Sequence, residues 1–151
     1  VTLTSSGRGL IDGRGPQYWG IPLIGFLELK ENRPRLVVFN QTKDLLIENI
    51  ILQDSPYHTL YLEAVNRAEI RHISIVARRT EREGHSWIDL TAFNTDGIDV
   101  SGHNVHIHDV DIWTQDDCIA VKDSKLDYHS SNMTFERVNA SGLGFVIGSI
   151  G

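Results

Sequence analysis

The feature of this sequence that most limits its fold is an apolar repeat that occurs four times between residues 45 and 140. The copies are Leu45, Ile47, Ile50, Leu52; Ala68, Ile70, Ile73, Ile75; Val105, Ile107, Val110, Ile112; and Met133, Phe135, Val138, Ala140. Within each copy, a spacing of two residues places side chains on one face of a β-strand and so predicts two short strands. The step of three between the pairs reverses this alternation, so we expect a bend or bulge there.

The distance between copies favours a solenoid over other all-β folds. The second copy follows the first by 23 residues, from Ile47 to Ile70, and the next intervals are 37 and 28 residues, to Ile107 and Phe135. Such recurrence predicts coils that stack about 4.8 Å apart and bury a continuous apolar ladder. A β-sandwich would reverse its direction every 8–12 residues or so. We therefore predict an all-β parallel β-helix, with residues 1–151 forming a single-domain fragment truncated at both ends.

Composition and charge limit the partners of this chain. The net charge is −6, from 14 basic and 20 acidic residues, so the basic surface that nucleic acid requires is not expected. The sequence has no run of about 18 apolar residues, so we expect neither a transmembrane helix nor a membrane partner. A single cysteine, Cys118, cannot form an internal disulfide. No signal peptide is visible, but the chain begins at Val1, as an excised piece would.

Two segments outside the repeat have their own patterns. Glycines between residues 7 and 15 predict tight turns around a short strand at residues 10–11.

The long interval between the second and third copies contains an insertion at about residues 78–91. Insertions in solenoids form loops on one face, often the binding face, although a solvated charged loop is the alternative. Because acidic clusters follow directly, we favour the binding face.

Two acidic clusters lie about one coil apart. The first is Asn-Thr-Asp-Gly-Ile-Asp at residues 94–99, and the second is Gln-Asp-Asp-Cys at residues 115–118. Since residues one coil apart become neighbours in a solenoid, Asp96, Asp116 and Asp117 should converge on one face. Carboxylates that close cannot all ionise freely, so one pKa rises and that group can act as an acid. A glycosidase needs such a pair, one carboxyl protonated and one ionised.

Other interpretations of these residues stay open. Asp and Asn are common in solenoid turns, and neighbours such as Asp116 and Asp117 point to opposite sides of a regular strand, so both reach one cleft only at a turn or bulge. A calcium loop would need an acidic ligand where Ala92 stands. His103, His106 and His108 could suggest a zinc site, and the side chains of His106 and His108 share a strand face, but no fourth ligand is evident. We assign no metal and no cofactor.

The two acidic motifs resemble those of glycoside hydrolase family 28, the polygalacturonases and their relatives. The matching stretches are residues 94–99 and 115–122, and residues 9–15 and 54–56 support them. The resemblance extends over nearly the whole chain, with the motifs in the right order. It implies a right-handed parallel β-helix, which agrees with the repeat. It further implies a secreted hydrolase, monomeric at full length, that inverts configuration as it cleaves pectin-type polysaccharide.

The resemblance also implies residue roles. By motif position, Asp116 corresponds to the general acid, and Asp96 and Asp117 correspond to the pair that activates water. The nearest polar groups for positioning the sugar are Asn94, Gln115 and Lys122.

Two departures from the family pattern affect the expected site. The family usually carries a Gly-His-Gly element, whereas residues 142–144 are Gly-Leu-Gly, followed by a strand at residues 147–151. Leu143 cannot share a proton, so the tuning of the carboxylates should differ. The family also carries an Arg-Ile-Lys element on a later coil that holds the substrate carboxylate, and that element would lie beyond Gly151.

The implied substrate is anionic whereas the chain is net negative, so local cations must offset the repulsion. The candidates are Arg78, Arg79, Arg82, Lys122 and Lys125. Two other functions remain open from the sequence. One is a polysaccharide-binding β-helix that lacks catalysis, and the other is a lyase that cleaves uronans by elimination.

Overall fold

The structure is a computed structural model that describes residues 1–21, 25–27, 33–80, 85–124, 126 and 129–148. The helical elements of this part of the chain are two short 3₁₀ turns, η1 (Gly15–Gln17) and η2 (Asp89–Ala92). None of its helices is long and apolar enough to cross a bilayer. Its strands are β1 (Thr2–Asp12), β2 (Trp19–Ile21), β3 (Gly25–Leu27), β4 (Val37–Asn40), β5 (Lys43–Gln53), β6 (Leu60–Val76), β7 (Ile98–Trp113), β8 (Asp117–Val121), β9 (Ser131–Ser141) and β10 (Gly144–Ile147).

Eight of these strands form one parallel sheet that winds as a right-handed parallel β-helix. β4 and β5 both pair with β6, β6 pairs with β7, and β7 pairs with both β8 and β9. β1 pairs with β5 at one end of the stack, and β10 pairs with β8 at the other end. β2 and β3 form a separate antiparallel pair. The predicted fold class is thus confirmed, whereas the single-domain organisation of residues 1–151 stays a prediction.

The apolar repeat forms the core. Ile47, Ile70, Ile107 and Phe135 occupy one row across four coils, and the three isoleucines are fully buried. The rows that begin at Leu45 and Leu52 align in the same way. Burying one such side chain contributes roughly 1.5–3 kcal/mol. The intervals read from the sequence are therefore the true offsets between stacked coils.

A single left-handed residue makes the predicted bend in each coil. Asn49, His72, Asp109 and Arg137 have φ angles of 57°, 50°, 52° and 50°, and each lies inside the step of three. Their backbone rotation lets the apolar pairs before and after the bend both face inward. Because non-glycine residues seldom adopt this conformation, its recurrence shows that the stacking imposes it.

The N-terminal strand is longer than predicted. Instead of a short strand at residues 10–11, β1 pairs with β5 from Thr2 to Asp12, with a register shift between Thr4 and Gly9. The Ser5 hydroxyl lies at this shift, where it accepts a hydrogen bond from the backbone N–H of Gly9 at 2.8 Å. The turn predicted after the strand is present at η1, whereas the turn predicted before it is replaced by the register shift, because residues on both sides of the shift pair with the edge of β5.

β7 turns a corner at Gly102, where φ is 128°. A side chain at this position would collide with the carbonyl oxygen of Val65 on the coil below, so the corner requires glycine. The corner separates residues 98–101, which lie beside the predicted site, from residues 103–113 on the next face.

Candidate active site

The structure brings together the three carboxylates predicted from the sequence. Asp96 precedes β7, Asp116 precedes β8 and Asp117 is the first residue of β8. One oxygen of each lies within 4.8 Å of the others. The chain bends at Asp116, so the alternation of a regular strand does not separate it from Asp117. The convergence expected from the coil spacing is therefore present.

Backbone groups hold the carboxylate of Asp116 in place. The N–H of Asn94 donates to its Oδ2 at 3.1 Å, and the N–H of Asp117 donates to its Oδ1 at 2.9 Å. The side chain is buried. Donors from two coils therefore fix the orientation of this carboxylate towards the cluster.

The surroundings of Asp96 favour its protonated form. It is 6% exposed. Burial, followed by repulsion from Asp99 and Asp116, raises its pKa from 3.8 to about 8. Burial and the neighbouring Asp116 also raise the pKa of Asp117. At neutral pH the cluster therefore retains a proton.

Lys122, which we predicted to position sugar, forms an ion pair with Asp99. Asp99 is 1% exposed, and burial raises its pKa although Lys122 opposes the shift. The side chain of Lys122 is 18% exposed. Lys122 thus reduces the negative charge beneath the three aspartates.

His58 is a site residue that the sequence analysis did not single out. Its Nδ1 lies 3.1 Å from Oδ2 of Asp99, and its Nε2 lies 3.9 Å from Oδ1 of Asp96. The ring is buried and stacks on Tyr57, with 3.9 Å between ring centroids. Burial, followed by nearby cations, of which Lys122 has the largest effect, lowers the pKa of His58 to about 3. The imidazole is therefore neutral and can donate a hydrogen bond into the acidic cluster.

Arg33 is a second residue that the sequence analysis missed. Its guanidinium is buried and donates to the carbonyl oxygen of Phe93 at 2.5 Å and to Oδ1 of Asn94 at 3.1 Å. Asn94, which we predicted to contact sugar, therefore orients Arg33 and Asp116. The backbone N–H of Leu36 donates to the carbonyl oxygen of His58 at 3.1 Å, which places the segment that carries Arg33 beside the coil of His58.

Gln115 is buried and contacts the insertion. Its Oε1 lies 3.0 Å from Nδ1 of His85, whose Nε2 lies 2.7 Å from Oγ of Ser141. The His85 ring also stacks on Trp113, with 5.4 Å between centroids. The described part of the insertion therefore packs beside the acidic cluster, on the face that we favoured for binding.

The predicted cations have different surroundings. Arg79 donates to the Gly20 carbonyl at 2.6 Å, and burial lowers its pKa, so it holds the insertion in place. Arg78 lies over the Trp113 ring at 5.0 Å. Arg82 and Lys125 lie outside the described residues.

Leu143 lies where the family pattern places a histidine. Its backbone N–H donates to the carbonyl oxygen of Asp116 at 2.9 Å, and its side chain is 65% exposed. The Gly-Leu-Gly element is thus one coil above Asp116 and offers no side-chain donor. Residues 149–151 of the strand predicted after it lie outside the described residues.

Comparisons with known proteins identify relatives of this chain. The model of Glycosyl hydrolases family 28 matches residues 1–151. A polygalacturonase from Cryptomeria japonica is 32% identical over 98% of this chain and 27% of its own length. A putative rhamnogalacturonase D from Aspergillus niger is 35% identical over 83% of this chain and 25% of its own length. The chain spans about a quarter of the length of these curated relatives.

A solved structure shares the fold. Endopolygalacturonase I from Stereum purpureum, complexed with two galacturonate, matches 99% of this chain and 42% of its own, with a TM-score of 0.68 and 24% identity. The family indicated by the two acidic motifs agrees with the family model over the whole chain. The chain therefore belongs to family 28 of the glycosyl hydrolases.

Proposed function

We propose that the protein hydrolyses glycosidic bonds in a pectin-type polysaccharide. The observation that carries the proposal is the cluster of Asp96, Asp116 and Asp117, within which a proton is retained at neutral pH. Glycoside hydrolysis needs one carboxyl that gives a proton and one carboxylate that activates water or attacks the sugar. The names of the relatives, polygalacturonase and rhamnogalacturonase, support a substrate that contains galacturonate.

In the proposed mechanism, Asp116 protonates the leaving oxygen while Asp96 and Asp117 activate the attacking water. Because the pKa of Asp96 is raised to about 8, the stored proton resides on Asp96 before the substrate binds. Oxygens of the three side chains lie within 4.8 Å of one another, so one water molecule can carry this proton to Asp116. Loss of the proton from Asp96 then leaves it ionised, as a water-activating base must be.

We propose an inverting reaction on the basis of the family. Inverting glycosidases usually place their two carboxyl groups about 6.5–9.5 Å apart, which leaves room for water. Oxygens of these aspartates lie within 4.8 Å, so the separation itself does not support inversion. Proton NMR of the first anomer released from substrate decides the stereochemical course.

We infer that the remaining polar residues hold the site rather than form its exposed wall. Asn94 orients Arg33, and Gln115 contacts His85, while Lys122 neutralises Asp99. Arg35 is exposed and lies over the Tyr61 ring at 4.0 Å, so it is placed to meet an anionic sugar. It would offset part of the repulsion between an acidic chain and an acidic polymer. A secreted, monomeric enzyme that degrades cell-wall pectin completes the proposal.

The decisive experiment uses the full-length protein on polygalacturonate and on rhamnogalacturonan, with release of reducing ends as the readout. Replacement of Asp116 by Asn should lower the rate by about 100-fold or more, because a positioned general acid contributes that much. Asp44→Asn is the matched control, since Asp44 is an exposed residue of β5 that pairs with Arg67, and its replacement should leave the rate unchanged.

Two results would overturn hydrolysis. Saturable binding of pectin without turnover by the wild-type protein would favour a binding module. Absorbance from an unsaturated product would identify a lyase.

A further inference from the structure

A second cluster of titratable side chains lies beyond the Gly102 corner, away from the acidic site. Glu69 on β6 pairs in register with His106 on β7, and His108 follows two residues later on the same face. One donor atom of each of the three lies within 4.8 Å of the others. The rings of His106 and His108 have centroids 4.2 Å apart. The proposed hydrolysis uses none of these residues.

We propose that Glu69, His106 and His108 bind a divalent transition-metal ion of the zinc class. Two imidazoles and one carboxylate are a donor set that zinc uses in proteins. Oε1 of Glu69 lies 3.1 Å from Nε2 of His108. Two ligands about 2.0 Å from a tetrahedral ion lie about 3.3 Å apart, so this pair needs little movement to share one ion. A solvent molecule would complete the coordination.

Carboxylates already orient both rings. Oδ2 of Asp109 lies 2.6 Å from Nδ1 of His108, and Oε1 of Glu136 lies 2.7 Å from Nε2 of His106. A ligating histidine usually donates its other ring N–H to such a carboxylate, which fixes the tautomer. These contacts leave Nε2 of His108 and Nδ1 of His106 for the ion.

Two arginines occupy the surroundings of the cluster. Arg71 donates to Oε1 of Glu69 at 2.8 Å and also pairs with Glu48 at 2.8 Å. An ion would displace the first contact and leave the second intact. Arg137 donates to both oxygens of Asp109, at 2.7 and 2.9 Å, and one of its nitrogens lies 3.2 Å from Nδ1 of His108. Because the ligands come from β6 and β7, the bound ion clamps two coils together.

The test is a titration of the metal-free, full-length protein with Zn²⁺ against a competing chelator dye. We expect one site whose affinity falls at least about tenfold in His106→Gln and in His108→Gln. His103→Gln is the matched control, because His103 precedes them on β7 and contacts Ser131 instead, at 2.8 Å. Each variant is also measured with Asp96→Asn as a second substitution, so that zinc bound by the acidic cluster does not contribute to the measured affinity.

Three further readouts decide the outcome. Co²⁺ bound to the wild type should give the intense visible absorption of a four-coordinate site, and His106→Gln should remove it. The side chain of His106 is 40% exposed, so its replacement should keep the fold, which circular dichroism checks. Zinc should also raise the midpoint of thermal unfolding, since the ion binds only the folded state. Equal zinc affinity in the His106 and His103 variants, or no binding by the wild type, would overturn the proposal.

Discussion

Replacement of Asp96 by asparagine should stabilise the protein at alkaline pH while it abolishes catalysis. Asparagine keeps the shape of the side chain but carries no charge, so it removes the cost of ionising a buried group beside Asp99 and Asp116. A folded-state pKa above the unfolded value means that the folded protein binds the proton more tightly. The contribution of Asp96 to wild-type stability is therefore largest below pH 4 or so and declines as the pH rises towards its folded pKa of about 8.

The size of the effect follows from that shift. Between 3.8 and about 8 the pKa of Asp96 moves by roughly four units, and each unit corresponds to about 1.36 kcal/mol. The free energy of unfolding of the variant should therefore exceed that of the wild type by up to about 5 kcal/mol near pH 8. The pH-dependent gain should be small near pH 4, close to the unfolded-state pKa of 3.8, and should vanish about one pH unit below it, where Asp96 is protonated in both states of the wild type.

Urea unfolding at about pH 4, 6 and 8 measures this difference. Asp111→Asn is the control for stability, because Asp111 lies on the exposed side of β7. A variant no more stable than the wild type at pH 8 would refute the reasoning. So would a gain of the same size at every pH, because that gain could not arise from ionisation.

Three further predictions concern the core, the buried ion pair and a groove lined by Trp113. Because Ile107 is fully buried, Ile107→Ala should lower the free energy of unfolding by about 2–5 kcal/mol, and Ile107→Val should lower it by about 0.5–1.5 kcal/mol. Urea unfolding measures both losses, and equal losses would contradict the close packing of this apolar row. Lys122→Met should cost about 3–5 kcal/mol at neutral pH by leaving Asp99 buried without its cation, and Asp99→Asn added to it should restore most of that loss. Trp113 lines a cavity of about 330 Å³ beside the site, so Trp113→Ala should raise KM several-fold to about tenfold with little change in kcat. Steady-state kinetics on the full-length protein test this prediction, and an unchanged KM would exclude this groove as a substrate subsite.

The fold could be predicted because the coils repeat the same physical requirement. Every coil must bury apolar side chains against the next, so the spacing around Ile47 recurs around Ile70 and Ile107 and fixes their alignment. The length of β1 could not be predicted in this way. Its pairing depends on the free edge of β5, and its glycines and serines give no apolar alternation.

The candidate site could be predicted only where its residues follow the repeat. Asp96 and Asp116 lie about one coil apart, so counting residues brought them together. His58 faces Asp96 across an interval lengthened by the insertion, so a count based on one coil length passes over it. The pairing of Lys122 with Asp99 joins a side chain that follows β8 to one on β7, and neither motif alone reveals it.

The left-handed residues that recur in each coil affect how the sequence of such a protein can vary. The interval from Ile47 to Ile70 is 23 residues and that from Ile70 to Ile107 is 37, yet both place their isoleucines in one row. Each coil sets its own bends with left-handed residues at matching positions, such as Arg67 and His72 in one coil and Asn104 and Asp109 in the next, so extra residues at a corner leave the alignment of the next coil intact. The rim of the cleft and the core beneath it can therefore vary independently, and an altered loop at the position of His85 could adapt the protein to a different polymer without new core packing.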